Sequence, residues 1–211
     1  RLKVIVGTTE GETILTMNNA VPPLDNVKVR EAIAHAINRQ ELIDGAMFGY
    51  GTPIGTHFAP HHPDYIDLTE KSAYDPEKSK ALLAEAAVKD LKLRLALPPT
   101  PYARRGGELL AAQLRAVGIE TEATNMEWAQ WLETVYKGKD YDLTIISHVE
   151  PMDIGIYTRD DYYFNYKNDA LKAVMAEVNT TTDDAKRSEL LKQAQTMIAD
   201  DYVNAYLFQL A

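Results

Sequence analysis

Most of the chain carries a recognisable strand or helix pattern. Thr13 to Met17 (Thr-Ile-Leu-Thr-Met) alternates as a strand does, with Gly7 to Glu12 as the turn before it, and Leu2 to Val6 is a further short β-rich stretch. Pro22-Pro23 breaks the chain. Asp25 or Asn26 can then cap a helix with Val29, Ile33, Ala36 and Ile37 at helical spacing. A second helix is predicted over 40–48, with Leu42, Ile43 and Met47 inward. Glycines and prolines leave 49–72 irregular. A loop of that length in a compact domain is functional or pinned by packing.

Asp75-Pro76-Glu77 is a helix start, since Asp caps, Pro fits the first turn and Glu suits the dipole. That helix is predicted to run to about Val88. Leu91 to Leu97 alternates strictly and is the clearest strand, ended by Pro98, Pro99 and Pro101. Next come a helix over 103–117 closed by Gly118, a strand over 119–124, a helix over 127–137 ended by Gly138, and an apolar strand over 142–147. No period survives from Val149 to Lys167, where Tyr157, Tyr162, Tyr163, Phe164 and Tyr166 cluster. Two amphipathic helices, 169–178 and 183–201, and a last strand over 202–210 complete the pattern. Strands alternating with helices indicate one α/β domain over 1–211, a mostly parallel sheet flanked by helices.

Composition narrows the function. The chain has 211 residues, 45% hydrophobic and 25% charged, with a net charge of −9. That balance argues against a nucleic-acid partner, because phosphates favour a basic surface. No apolar run approaches the ~18–20 residues of a membrane span. With no cysteine, thiol catalysis, disulfides and cysteine-based zinc sites are excluded. The chain opens Arg-Leu-Lys-Val without a signal-peptide pattern and stops on an apolar run, as a piece of something longer would.

Several groups of residues carry candidate chemistry. His57, His61 and His62 lie near Asp64, a set that could hold a metal for a hydrolase, although Pro60 and Pro63 disfavour the helix that would align the rings. Trp128 and Trp131 share a helical face that either packs on the sheet or stacks a ligand. Arg104-Arg105 at a helix start could take an anion. No phosphate-binding glycine loop and no Gly-x-Ser-x-Gly elbow occurs. The richest segment follows the strand ending at Ser147-His148, because open α/β sheets bind ligands at the carboxyl ends of their strands. It places His148, Glu150, Asp153, Tyr157 and Arg159 there, the carboxylates to pair with a cationic or donor group, His148 to hydrogen-bond and Tyr157 to cover an apolar part.

Ordered motifs suggest a family. Asp25 to Ile33 followed by Ala36-Ile37-Asn38-Arg39 resembles the "D-x-R-V-R-x-A-I … A-I-D-R" stretch of extracellular solute-binding proteins of the peptide/dipeptide/nickel type, which serve ATP-binding-cassette (ABC) importers. Gly49 to Pro53 is similar to their "G-x-G-x-P" loop, and Tyr74 to Ala86 to their "Y-D-P-E-K-A-K-x-L-L-x-E-A-G" helix. Gln113-Leu114, Gly118-Ile119, Glu127-Trp128, Tyr141-Asp142-Leu143 and Phe164-Asn165-Tyr166 follow in the family's order.

The resemblance implies a class-two periplasmic-binding-protein fold, with this chain as its C-terminal lobe. It also implies periplasmic or extracellular location, no cofactor and no catalysis. The implied partners are a peptide or small-molecule ligand, ABC permease subunits and the N-terminal lobe. In the peptide-binding members the corresponding strand ends in Gly-Trp, followed by an amine-anchoring Asp. Here Ser147-His148 replace that pair and Pro151 stands at the Asp position, which leaves Glu150 or Asp153 as candidates for that role and leaves room for a modified peptide or an opine- or sugar-like solute in place of an ordinary peptide.

Overall fold

The computed structural model describes residues 1–211. Its strands are β1 (Glu12–Met17), β2 (Thr52–Pro53), β3 (Leu91–Leu97), β4 (Ile119–Asn125), β5 (Leu143–His148) and β6 (Asn204–Gln209). Its helices are α1 (Val27–His35), α2 (Arg39–Met47), α3 (Pro76–Glu85), α4 (Pro101–Arg115), α5 (Trp128–Trp131), α6 (Asp169–Thr180) and α7 (Asp184–Asp200).

Helix starts follow local chemistry. Asn26, Asn38, Asp75, Thr100, Asn168 and Asp183 each accept a backbone N–H of the first turn they precede. At the end of α4, Gly118 takes φ 91°, a left-handed conformation that costs glycine little.

All strands join one sheet in the order β2-β6-β1-β5-β3-β4. β3 runs parallel to β4 and β5, whereas β1 is antiparallel to β5 and β6, and β2 to β6. The α/β class therefore stands, but the sheet is mixed rather than mostly parallel. Helical crossovers make the β3-β4-β5 part parallel, while β1 and β6 enter from the other direction. Periodicity gives the order of elements along the chain but not which strands become neighbours.

Each face of the sheet is covered. On one, Leu15, Leu93, Leu95, Ile145 and Leu207 pack under α1 to α4. On the other, Ile14, Ala96, Ile146 and Tyr206 pack under Trp131, α6, α7 and the aromatic segment 157–166. The short β-rich stretch expected over Leu2 to Val6 forms no strand and is exposed.

The helix expected over 127–137 is regular only in α5. It continues as a π-helix over Leu132–Lys137. Gly138 closes it for a steric reason, since a Cβ there would lie 2.7 Å from the Glu133 carbonyl oxygen.

Candidate functional site

β5 delivers His148 to the aromatic face of the sheet. Alternation sends its neighbour Ser147 to the opposite face, where the hydroxyl meets Thr13 Oγ1 at 2.6 Å. Beyond the strand, Met152 adopts φ 62° and turns the chain into a 3-10 turn over Asp153–Thr158. That reversal swings Asp153 back toward His148.

Asp153 sits between two imidazoles. Its Oδ2 lies 3.1 Å from His148 Nδ1, and its Oδ1 lies 2.6 Å from Nε2 of His57, 96 residues away. An ionised carboxylate only accepts, so each ring gives it an N–H. The outer ring nitrogens then accept, from Tyr157 at 3.0 Å on His57 Nδ1 and from Tyr163 at 2.9 Å on His148 Nε2. Asn204 Nδ2 donates to the Tyr157 hydroxyl at 3.0 Å, and the Tyr206 hydroxyl approaches it at 2.9 Å. Asp153 is thus the terminus of two hydrogen-bonded chains.

Burial alone would raise the Asp153 pKa. The hydrogen bonds from His148 and His57, with their charge, outweigh it and hold the carboxyl well below the usual range. Burial lowers the His148 pKa against the opposing pull of Asp153. At neutral pH the pair is therefore an ionised carboxylate beside a neutral imidazole. Glu12 stands directly opposite His148 in the β1–β5 register, so the two side chains share a face. Burial, and then the Asp153 charge, push its carboxyl up to about 8.

Of the five residues expected at the site, three converge. His148, Asp153 and Tyr157 join one network, while Glu150 and Arg159 stay at the exposed surface. Arg159 lies 5.0 Å over the Tyr162 ring and pairs with Asp161. Tyr157, expected to cover an apolar part of a ligand, is instead buried. It is 2% exposed, and its hydroxyl orients His57.

The three-histidine metal set separates. His57 turns inward, His61 meets Glu10 at 2.5 Å and Gln209 at 3.0 Å, and His62 packs on Phe58 beside Asp64. Arg104 and Arg105 are also engaged elsewhere, with Glu127 and with the Phe48 ring. Trp131 is buried and donates to Thr144, whereas Trp128 remains half exposed.

Sequence reasoning passed over Glu12 and Tyr163 and placed His57 in the wrong cluster. The sequence pattern leaves Glu12 in the turn before the strand, whereas the structure makes it the first residue of β1. Only the pairing with β5 sets it beside His148.

A mixed sheet covered on both faces thus carries a polar cluster at the end of one strand. The chain belongs to the bacterial extracellular solute-binding proteins, family 5, whose model matches residues 1–170. It is similar to the dipeptide-binding protein of Escherichia coli (strain K12), 29% identical over 208 residues, covering 88% of this chain and 38% of that protein. It is also similar to the nickel-binding periplasmic protein of the same organism, 33% identical over 155 residues, covering 70% of this chain and 26% of that protein.

Among solved structures, an ABC transporter substrate-binding protein from Listeria monocytogenes superposes with a TM-score of 0.90 at 23% identity, covering 98% of this chain and 45% of that one. This likeness shows the shared fold. The chain spans 38% of the length of that dipeptide-binding relative, and these relatives are binding proteins.

Proposed function

We propose that residues 1–211 are the C-terminal lobe of the substrate-binding component of an ABC importer. The protein captures a peptide or related small solute by closing two lobes over it, outside the cytoplasmic membrane, and presents the closed form to the permease. The family match over residues 1–170 carries this reading. The β5 strand end supports it, because it gathers donors and acceptors where open α/β sheets take ligands.

In this reading Asp153 and His148 are the lobe's polar anchor. His57 and Tyr157 orient that anchor from behind, and Glu150 and Arg159 stand at the rim. The lobe is not an enzyme. Asp153 and His148 are built to hold charge and hydrogen bonds, and the two chains of hydroxyls behind them fix their positions.

A thermal-shift screen of the two-lobe protein against peptides, amino-acid derivatives, opines and sugars tests the proposal. Solute at 100 times its Kd adds about 2.7 kcal/mol of stability. A hit that weakens with Asp153→Asn is the expected result. A library-wide absence of any shift, in protein shown to be folded, would count against capture of these solute classes.

A further inference from the structure

We propose that His57, His148 and Asp153 form a binding site for one divalent transition-metal ion of the zinc or nickel type. The inference concerns the same side chains as the proposed solute anchor, but it is carried by their geometry and is tested by metal binding alone, without a solute.

The donor geometry comes first. One nitrogen from each imidazole and a carboxylate oxygen lie within 4.8 Å of one another, with His57 Nε2 and His148 Nδ1 in contact with the two oxygens at 2.6 and 3.1 Å. Donors bound tetrahedrally at ~2.1 Å stand about 3.4 Å apart. Small side-chain shifts bring this set to that spacing. Two nitrogens with one oxygen suit zinc or nickel, whereas calcium and magnesium prefer oxygen alone.

The surroundings are built in the way metal sites are. A ligating histidine is held through its other ring nitrogen, and here each outer nitrogen has a buried tyrosine hydroxyl, Tyr157 for His57 and Tyr163 for His148. A hydroxyl can donate or accept. In its neutral form either ring can therefore carry its proton inward toward Asp153, or outward with its inner lone pair free for a metal. Moving between these states costs no change in net protonation. The Tyr157 hydroxyl has Tyr206 as a second acceptor when His57 turns donor.

The cluster also lacks a compensating cation. The ion pairs of Asp153 are with the two histidines alone, and both rings are buried. Glu12 sits opposite His148, 4% exposed, and its Oε2 has no hydrogen-bond partner within the protein. A divalent ion offsets the Asp153 charge and offers Glu12 Oε2 a partner. Three protein donors leave a four-coordinate ion one position for Glu12, water or a donor of the solute.

Calorimetric titration of chelator-stripped protein with zinc and nickel salts tests the site, with Co2+ absorption as a spectroscopic check. One equivalent should bind, and the Co2+ bands should be those of a tetrahedral or five-coordinate site. Tyr163→Phe should weaken binding by about 10-fold or more, Asp153→Asn and His148→Ala by at least ~100-fold, and His61→Ala not at all.

Histidine-ring NMR of the unmutated protein provides a readout that does not depend on a variant folding. Zinc should shift the His57 and His148 rings and leave His35 and His61 in place. The absence of saturable binding, or loss of binding in His61→Ala, or shifts confined to His61 and His62, would overturn the site.

Discussion

At the scale of single residues, the unusual feature is a carboxyl that keeps its proton at neutral pH. The folded pKa of Glu12, about 8, lies above its ordinary 4.5. Between those values the folded protein keeps a proton that the unfolded chain releases, so stability falls as pH rises through that window and levels off above it. Glu12→Gln keeps the shape and removes the charge. In chelator-stripped protein its unfolding free energy should lose the parent's decline above the ordinary histidine value of 6.5, where His148 no longer contributes, and at pH 9 it should exceed that of the parent by roughly 1–3 kcal/mol. Urea melts across that range measure it, and a variant with the parent's slope would refute the assignment. Asp153 has the opposite sign. Its depressed pKa adds stability that is full above the unfolded value and is lost only as pH falls through the acid range. The two carboxyls on one face therefore answer to different ends of the pH scale.

At the scale of elements, the long segment between α2 and α3 is held by contacts that its sequence does not announce. Arg39 is buried at the start of α2. Its guanidinium donates to the Tyr206 carbonyl at 2.6 Å and to the Ser72 carbonyl at 3.0 Å, so one side chain ties α2, the loop end and β6 together. Burial lowers its pKa to about 10, which leaves it charged at neutral pH. Arg39→Ala strands those carbonyls and should cost about 3–5 kcal/mol. At Gly55 a Cβ would lie 2.3 Å from the Leu68 carbonyl carbon, closer than any packing allows. Gly55→Ala must push the loop off and should cost upward of ~2 kcal/mol, with Gly7→Ala, in open space, as a neutral control in the same thermal melts.

Arg39 also shows why the family motif was legible while its purpose was not. The motif arginines Arg30 and Arg39 bind backbone carbonyls of Leu24, Asp201, Ser72 and Tyr206, which makes them fold determinants rather than ligand contacts. Strictly alternating Leu91 to Leu97 was readable to the residue because one face of β3 is core and its Lys92 and Arg94 meet solvent. The candidate site was half legible. His148 and Asp153 are five residues apart and announce a strand end. His57 and Glu12 reach them only through tertiary pairing, and no local pattern records that. The π-helical stretch escaped for a related reason, since its residues suit an ordinary helix and only the Gly138 contact marks the change of pitch.

At the scale of the molecule, the sheet separates two covering layers, and the polar cluster sits at one end of it, where β1, β5 and β6 pair. That placement bears on how binding energy divides. If the solute is held between two lobes, its affinity is a shared sum, and closure adds contacts that neither lobe makes alone. A Kd of 1 μM corresponds to about −8.2 kcal/mol, and surrendering even a third of that weakens binding by about 100-fold. Residues 1–211 alone should therefore bind a solute identified for the two-lobe protein at least ~100-fold more weakly. His148→Ala in the two-lobe protein should lose only ~1–3 kcal/mol, the cost of one unpaired buried partner. Calorimetry on both forms separates these effects. Equal affinity in the two forms would place the whole site within this lobe and remove the need for closure. A large loss in the single lobe, with a small one in the point variant, would locate most of the binding energy in the act of closing.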